Sequence, residues 1–195
     1  MNPPLPDKDK EILLQIARQA IEAAVNNVNP QPLDLQSFSP KLREPGVSFV
    51  TLYNGDQLRG CIGGLTPEQP LAVDVREHAA AAATRDFRFP PVQLKELHQL
   101  RIEISVLSTP QPLDYQDADD LIRKLRPGED GVIIQRGNRR ATFLPQVWKK
   151  IPEPERFLEM LCEKAFLPHD AWKLKDLQVS TYQVFSINET ETTGN

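Results

Sequence analysis

Residues 46–64 have the sequence GVSFVTLYNGDQLRGCIGG, and the prediction of the fold starts from them. Its first part, 46–52, is rich in β-branched and aromatic residues, which predicts a strand. Asn54 and Gly55 follow, and this pair is a strong hairpin signal because both residues tolerate a positive φ. We therefore predict that residues 57–63 form a returning strand, antiparallel to the first.

The faces of this returning strand are predicted by the alternation of side chains along a β-strand. Arg59 and Cys61 are two positions apart, so we expect them to share one face. Leu58 and Ile62 are then expected on the opposite face, toward the hydrophobic core.

Two glycines interrupt the same strand and leave its backbone bare. We expect that a β-carbon at Gly60 or Gly63 has no room, because a second backbone or a ligand approaches closely there. The N–H groups of these two glycines are also candidate donors to a bound oxyanion or substrate.

Outward from the hairpin, hydrophobic periodicity and proline and glycine positions divide the chain into short elements. Helices separate the strand groups without a regular βαβ rhythm, so we predict the α+β class, with a mostly antiparallel sheet flanked by helices. The predicted elements are helices over residues 9–27, 67–85, 117–125 and 152–167, strands over 96–107 and 177–187, and a second hairpin of 131–135 with 139–144.

The composition narrows the class of function. The formal net charge of −4 argues against a nucleic-acid-binding protein, which usually carries a basic surface. No segment approaches the roughly 20 apolar residues of a membrane span, and the N-terminus lacks the pattern of a signal peptide. Two cysteines are too few for a disulfide framework, so we expect a cytoplasmic protein. Three dispersed histidines show no metal-ligand spacing, and we expect no metal or other cofactor.

Several motifs in the chain are similar to those of one known family. In their order along the chain they closely resemble the AMMECR family, from about residue 10 to residue 187. The motifs are LRGCIG (58–63), RDFRFPPV (85–92), RIEISVLS (101–108), PGEDGVII (127–134) and ATFLPQVW (141–148).

The resemblance implies a domain organisation and a set of partners. It implies a single AMMECR domain over 1–195, with a core of about 10–187. The last eight residues, 188–195, are polar, and for that reason we expect them to form a frayed tail. The resemblance also implies a larger, sheet-bearing part and a smaller, more helical subdomain, with a cleft between them near the LRGCIG strand. The gene neighbours of similar bacterial and archaeal proteins make a Memo-like protein and a radical SAM protein possible partners, beside an unidentified small molecule.

The sequence departs from the family pattern at two positions. Family members usually carry Thr or Ser after LRGCIG, where this chain has Gly64. The family's KAG near the end of the late helix is KAF here, so Phe166 replaces a glycine that would end the helix.

Cys61 has two interpretations. It is either a small, buried hydrophobic residue or a nucleophile whose thiolate is stabilised by Arg59. A nucleophile needs a base, and His78 on the following predicted helix is the candidate, although a single helical histidine is more often packed or solvated. Cys162 lies on an amphipathic helix, and we predict that it is a core residue.

The charged residues around the hairpin are ambiguous in the same way. Arg59 either pairs with an acidic neighbour or binds an anionic group with its planar guanidinium. Glu103 lies either on a solvated strand face or next to Arg59 as its partner. Asp86 and Arg88 either close the loop that follows the helix, with Asp86 accepting backbone N–H bonds, or contribute both side chains to the cleft.

Two classes of function follow from these alternatives. The first is a small-molecule enzyme or modification factor that uses Cys61 as nucleophile or acid–base group and Arg59 to hold an anion. In this first class Asp86, Arg88 and His78 are catalytic partners. The second is a non-catalytic binding or scaffold protein for the Memo-like and radical SAM proteins. The accessibility of Cys61 is the feature expected to separate the two classes.

Overall fold

The structure is a computed structural model that describes residues 5–189, and the chain divides into two compact units. Of the described residues, 5–107 and 185–189 form the larger unit, and 108–184 form the smaller unit. Residues 190–195 of the predicted tail lie outside the described part of the chain. Within residues 5–189, no helix combines the length and the apolar character that a membrane span requires.

Helices and strands alternate irregularly along the chain, and the predicted α+β class is confirmed. The elements in chain order are α1 (Asp7–Val25), α2 (Pro40–Arg43), β1 (Val47–Asn54), β2 (Gln57–Gly63), α3 (Leu71–Thr84), β3 (Leu100–Leu107), β4 (Gln111–Pro112), α4 (Ala118–Lys124), β5 (Gly131–Arg136), β6 (Arg139–Phe143), α5 (Pro154–Lys164), β7 (Gln178–Tyr182) and β8 (Val184–Asn188). Short 3-10 helices cover Leu35–Ser37, Leu94–Gln99, Pro145–Lys149 and Ala171–Lys173.

The larger unit has a four-stranded sheet in the order β2-β1-β3-β8, with α1 and α3 packed on one face. The apolar stripe of α1 and the alanine-rich face of α3 bury their side chains against the alternate apolar positions of the strands. Members of this core include Leu13, Ala17 and Ile21 of α1, Val75, Ala79 and Ala82 of α3, Val50 and Leu52 of β1, and Ile102 and Ile104 of β3.

The predicted hairpin is confirmed, because β1 and β2 pair antiparallel. Its two loop residues are Gly55 and Asp56, one position later than the predicted turn. Only Gly55 has a positive φ, of 58°, which is the pattern of a type II′ turn rather than of a type I′ turn. Among the described strands, none pairs with the other side of β2, so it is an edge strand of the sheet.

A β-bulge in β2 overturns the predicted facing of Leu58. Leu58 lies opposite Tyr53, and Gly60 lies opposite Leu52, so Arg59 is the extra residue. Residues directly opposite each other share a face of the sheet, and the bulge interrupts the alternation along β2. Leu58 therefore lies on the face that carries Cys61, and the prediction that it points into the core was wrong.

The two glycines of β2 confirm the prediction of close approach. A β-carbon on Gly60 would lie 2.2 Å from the carbonyl oxygen of Ala82 in α3. A β-carbon on Gly63 would lie 2.3 Å from the ring of Phe49 in β1. Gly60 thus allows the alanine-rich helix to rest directly on the strand, and the space beside both glycines is taken by protein atoms.

The smaller unit carries a four-stranded sheet of its own, in the order β4-β7-β5-β6, in addition to α4 and α5. The second predicted hairpin is confirmed as β5 and β6, with a positive φ at Gly137. A separate core fills this unit, and its centre is the stacked pair of Trp148 and Phe157, whose ring centroids are 3.6 Å apart.

The single strand predicted over residues 177–187 is two strands that belong to different sheets. β7 pairs with β5 in the smaller unit, whereas β8 lies beside β3 in the larger unit. Between them, the backbone of Gln183 bonds to Ser108, with its N–H donating to Ser108 Oγ at 2.9 Å and its carbonyl accepting from Ser108 N–H at 2.9 Å. These bonds interrupt the strand where the chain passes from one sheet to the other.

The departure at Phe166 does not remove the helix cap. Leu167 N–H bonds to the carbonyl of Cys162 and Phe166 N–H bonds to that of Glu163, both at 2.9 Å, which is the bond pattern of a Schellman motif. Phe166 occupies the position that favours glycine and has a φ of 57°. The cap is therefore formed by a residue whose side chain disfavours this conformation.

Candidate functional site

All the site residues predicted from the sequence lie in the larger unit, in four segments that surround the edge strand β2. Arg59, Gly60, Cys61 and Gly63 are in β2, His78 is in α3, Asp86 and Arg88 follow α3, and Glu103 is in β3.

Asp86 and Arg88 bind the free edge of β2. The N–H of Cys61 donates to Asp86 Oδ2 at 2.8 Å, and Arg88 Nη2 donates to the carbonyl oxygen of Cys61 at 3.1 Å. Within the loop, Arg88 Nε and Nη2 donate to the Asp86 carboxylate at 2.9 and 2.6 Å. Both backbone groups of Cys61 that point away from β1 are thereby satisfied.

The charges of this pair are stabilised by each other. The side-chain hydrogen bonds from Arg88 hold the pKa of Asp86 well below its usual range, and the backbone bonds from Cys61 and Arg88 add to this effect against the cost of burial. The pKa of Arg88 is raised, chiefly by its hydrogen bonds to Asp86. Asp86 is buried and ionised, whereas the Arg88 side chain is about half exposed.

Arg59 is held by a second set of bonds, to Glu96 and not to Glu103. Its Nε and Nη2 donate to the two oxygens of Glu96 at 2.8 and 3.1 Å, and its Nη1 donates to the carbonyl of Pro90 at 2.9 Å. The side-chain bonds from Arg59 lower the pKa of Glu96. Glu96 also accepts the N–H of Gln93, so the carboxylate fixes both the strand and the start of a 3-10 helix.

These two sets of bonds fasten residues 85–96, here called the edge segment, along the outer side of β2. An edge strand with free N–H and carbonyl groups can pair with a foreign strand, and native proteins often cover such edges with a loop. The sequence left open whether Asp86 and Arg88 close the loop or contribute to a cleft. In the structure, Asp86 and Arg88 close the loop and bond to Cys61, and Arg59 is engaged within the chain.

The Cys61 thiol lies on the sheet face opposite to the one on which α1 and α3 pack. Thr51 is directly opposite Cys61 and directly opposite Glu103 on its other side, so the three residues form one row across β2, β1 and β3. Thr51 Oγ1 donates to Cys61 Sγ at 3.3 Å. Tyr53 is on the same face, and its pKa is raised by burial first and then by the charge of Glu103. Cys61 is neither fully buried nor fully exposed.

His78 lies on the other side of the sheet, and the structure does not bring it together with Cys61. Its Nδ1 is 3.1 Å from Asp74 Oδ2, one helical turn earlier in α3. Asp74 also accepts the N–H and Oγ–H of Ser48, whose side chain points to the α3 side of β1. The Cys61–His78 pair considered from the sequence is therefore not formed.

The edge segment also exposes apolar side chains. Phe87 is 95% exposed although it lies between the two residues that bond to the β2 backbone. Leu94 is 59% exposed two residues before Glu96, and Leu58 is 40% exposed next to Arg59 in the strand. We call Phe87, Leu94 and Leu58 the Phe87 patch.

Three residues around β2 were not predicted from the sequence to belong to the site: Glu96, Asp74 and Phe87. Glu96 follows Gln93 at the spacing of a capping box, and this spacing is a local signal for a fixed carboxylate. Asp74 precedes His78 by four residues on a predicted helix, which places the two side chains on one face. The exposure of Phe87 has no signal in the sequence, because an aromatic residue between charged residues is usually an anchor in the core.

The second cysteine is a core residue, as predicted. Cys162 is fully buried in α5, and burial raises its pKa to about 11. Among residues 5–189, no group of three His, Cys, Asp or Glu side chains is arranged to hold a metal ion.

Comparisons with known proteins cover nearly the whole chain. The family model described as AMMECR1 matches residues 14–187. A protein of Thermofilum pendens is 38% identical, with 94% of this chain and 91% of that protein covered. A protein of Methanothermobacter thermautotrophicus is also 38% identical, with 95% and 97% covered. The crystal structure of uncharacterized protein PH0010 from Pyrococcus horikoshii is similar, with a TM-score of 0.81, 34% identity, and 98% and 96% of the two chains covered.

Proposed function

This chain belongs to the AMMECR1 family, and we propose that it functions as a binding protein that docks a partner protein on the Phe87 patch. The observation that carries the proposal is the 95% exposure of Phe87 on a segment whose flanking residues are fixed to β2. A fully exposed aromatic side chain does not stabilise the isolated chain. Aromatic residues held in a fixed position are, in contrast, frequent hot spots of protein–protein interfaces.

The state of the predicted catalytic residues supports a binding role. Arg59 donates to Glu96 and Pro90 through three nitrogen atoms, so a substrate anion would have to displace these bonds. The Asp86 carboxylate is likewise occupied by Arg88 and the Cys61 N–H. These groups are arranged to hold the edge segment in place, which pre-organises the patch and reduces the entropy lost on docking.

The chemistry of the partner follows from the rim of the patch. Arg85 and Lys95 are exposed within the edge segment, whereas its acidic residues, Asp86 and Glu96, are paired with Arg88 and Arg59. The patch thus presents apolar side chains with a locally basic rim on a chain of net charge −4. We propose a partner with an apolar pocket in an acidic surface, and the Memo-like protein and the radical SAM protein are the first candidates.

The experiment is co-elution of the purified chain with each purified candidate on size exclusion. Complex formation with either candidate is expected for the wild-type chain and for Phe166→Ala, which removes an equally prominent phenyl ring, 83% exposed, from the smaller unit. Phe87→Ala is expected to lose the complex, because it removes the centre of the patch without touching the core. No complex with either candidate, or equal loss in both variants, would overturn the proposal.

A second candidate function is a small-molecule enzyme that uses Cys61. The observation in its favour is that the thiol is partly accessible and lies in a row with Thr51 and Glu103, beside Tyr53. A hydroxyl that donates to Sγ stabilises a thiolate, and the Glu103 carboxylate in the same row is a candidate general base. In this alternative the small molecule binds on the face of the sheet that carries Cys61.

Iodoacetamide labelling followed by mass spectrometry tests this second candidate. Cys162 is the internal control, because burial and a pKa of about 11 keep it unreactive until the chain unfolds. An enzyme-like Cys61 labels faster than a free thiol in the folded chain, and a metabolite that binds beside it slows the labelling. Labelling of Cys61 no faster than a free thiol, without protection by any metabolite, removes this candidate.

A further inference from the structure

We propose that a cavity in the smaller unit binds a free α-amino acid with an apolar side chain. The cavity has a volume of about 630 Å³ and is lined by residues 112–118 and by 173–175 and 177–180. This volume is within the usual range of small-molecule sites. The cavity shares no residue with the Phe87 patch, so the proposal does not depend on the partner-binding function.

The cavity lies where the chain that follows β4 separates from β7. β4 pairs with the C-terminal part of β7, and the N–H of Leu113 then donates to the carbonyl of Val179 at 2.9 Å. Just before β7, the carbonyl of Leu177 accepts the side-chain hydroxyl of Tyr115 at 2.6 Å. The backbone of residues 113–115 therefore moves away from β7, and a side chain spans the gap.

This separation leaves one buried donor without an acceptor. The N–H and the carbonyl of a strand residue point to the same side, so the bond from Leu113 shows that both groups of Val179 point away from β5. Among residues 5–189, no group accepts the N–H of Val179, although this residue is only 3% exposed. Buried backbone N–H groups without a partner are rare and costly, and an acceptor from outside the chain would satisfy this one.

A carboxylate meets the requirements of this part of the cavity. It supplies the acceptor that the N–H of Val179 lacks, and Lys173 and Lys175 in the lining complement its charge. The ammonium group of Lys173 lies over the Trp172 ring, with Nζ 5.0 Å from the ring centroid. Hydrogen bonds to an ionised acceptor are stronger than those to a neutral one, so a carboxylate is favoured over an uncharged carbonyl group.

The same walls offer a partner for an amino group. Two aspartates line the cavity, and one of them, Asp117, already accepts the N–H of Asp120 at 2.8 Å as the N-cap of α4. Asp114 is exposed, and the bond from Lys124 goes to its backbone carbonyl, so its carboxylate can accept from an ammonium group. An inorganic anion lacks such a group and is repelled by both aspartates.

The remaining wall fits an aliphatic side chain. Leu174 is 41% exposed and Tyr115 is partly buried, and both residues line the cavity. An aliphatic group that covers Leu174 removes apolar surface from water, which favours binding. A carboxylate, an ammonium group and an aliphatic side chain occur together in leucine and in similar amino acids.

The test is an NMR titration of the isotope-labelled chain with L-leucine, followed through the backbone amide signal of Val179. L-leucinamide lacks the carboxylate, and isocaproate lacks the ammonium group. We expect leucine to shift the Val179 signal saturably without shifting that of Val50 in the core of the larger unit, and each analogue to bind at least about tenfold more weakly. The absence of a saturable shift would show that water alone satisfies this N–H and would overturn the proposal, as would equal affinity for either analogue.

Substitutions in the cavity wall establish the place of binding. The double variant Lys173→Gln and Lys175→Gln should weaken leucine binding at least about threefold, whereas Lys149→Gln, an exposed lysine outside the lining, should not. Asp114→Asn should weaken the binding of leucine but not that of isocaproate, because only leucine carries an ammonium group. Unchanged leucine affinity in both cavity variants, with unchanged melting temperatures, would overturn the assignment.

Discussion

At the scale of single residues, Asp86 does more than its neighbours to connect the segments of the candidate site. Its carboxylate is buried and accepts bonds from the backbone of β2 and from the backbone and side chain of Arg88. Charge-assisted bonds of this kind are each worth more than neutral ones, and a buried carboxylate is tolerated only when it is satisfied in this way. Asp86 thus determines the position of the edge segment.

Asp86→Asn is therefore expected to destabilise the chain at neutral pH by about 2–3 kcal/mol, through the loss of charge-assisted hydrogen bonds. The pKa of Asp86 is lower in the folded than in the unfolded chain, so its contribution is present above the ordinary aspartate value of about 4 and is lost as the pH falls below it. Urea unfolding between about pH 7 and pH 3 checks this prediction. The difference in free energy of unfolding between wild type and Asp86→Asn should shrink toward pH 3. A difference that does not change with pH would contradict the role of the charge.

Phe166 provides a second prediction, in which a substitution raises the stability of the chain. Phe166→Gly should raise the free energy of unfolding by about 1 kcal/mol, because glycine adopts the positive φ of the α5 cap without the steric cost of a side chain. Asn27 has a φ of 55° and is a matched control, since asparagine tolerates this conformation and Asn27→Gly should gain less. A thermal or urea melt in which Phe166→Gly is less stable than wild type would show that the phenyl ring itself stabilises the cap.

At the scale of elements, the edge strand β2 and the helix α3 depend on each other. The run of alanines in α3 and Gly60 in β2 remove side chains on both sides of the contact, so that the helix backbone rests on the strand. The same helix carries Asp74, which bonds to Ser48 of β1. The helix α3 therefore packs on β2 through small residues at Gly60 and is hydrogen-bonded to β1 at Ser48.

Gly60→Ala tests this packing. The added β-carbon would lie 2.2 Å from a backbone carbonyl oxygen, so the strand or the helix must shift. We therefore expect the free energy of unfolding to fall by roughly 2 kcal/mol or more, as in overpacked cores. Gly64→Ala is the matched control, because its β-carbon makes only an ordinary contact at 3.4 Å, and its effect should stay within about 0.5 kcal/mol. Equal melting temperatures for the two variants would mean that the close approach does not limit stability.

The elements also show which features a sequence can predict. The hairpin, the helices and the close approach at Gly60 follow from local signals such as turn residues, periodicity and small side chains. The bulge at Arg59 does not, since it accompanies bonds to Pro90 and Glu96, which are 31 and 37 residues away in the chain. For the same reason Glu96 was missed as the partner of Arg59, and Glu103 was considered instead.

At the scale of the whole molecule, the chain forms two units with separate cores and separate sheets. The periodicity of residues 177–187 indicates strand but does not reveal that β7 and β8 belong to different sheets. The predicted site residues all lie in the larger unit, and the arginines and Asp86 are engaged in internal bonds. The features of this unit that remain available to other molecules are the Phe87 patch and the partly accessible Cys61 thiol.

Partner binding should also depend on ionic strength. Arg85 and Lys95 are exposed in the edge segment, so attraction to an acidic partner should weaken as salt screens the charges. Raising sodium chloride from about 0.1 M to about 0.5 M, which roughly halves the screening length, should lower the association rate more than it raises the dissociation rate. Association rates that do not change with salt would argue against an acidic docking surface.

We propose that the edge segment is a docking surface and not part of a thiol-dependent active site. Calorimetric titration of the purified Memo-like or radical SAM candidate into the wild-type chain and its Cys61→Ser and Phe87→Asp variants distinguishes the two roles. We expect Cys61→Ser to bind like wild type, whereas Phe87→Asp, which places a charge at the centre of the patch, should weaken binding at least about a hundredfold. Loss of binding in Cys61→Ser together with wild-type affinity in Phe87→Asp would exclude docking on the Phe87 patch.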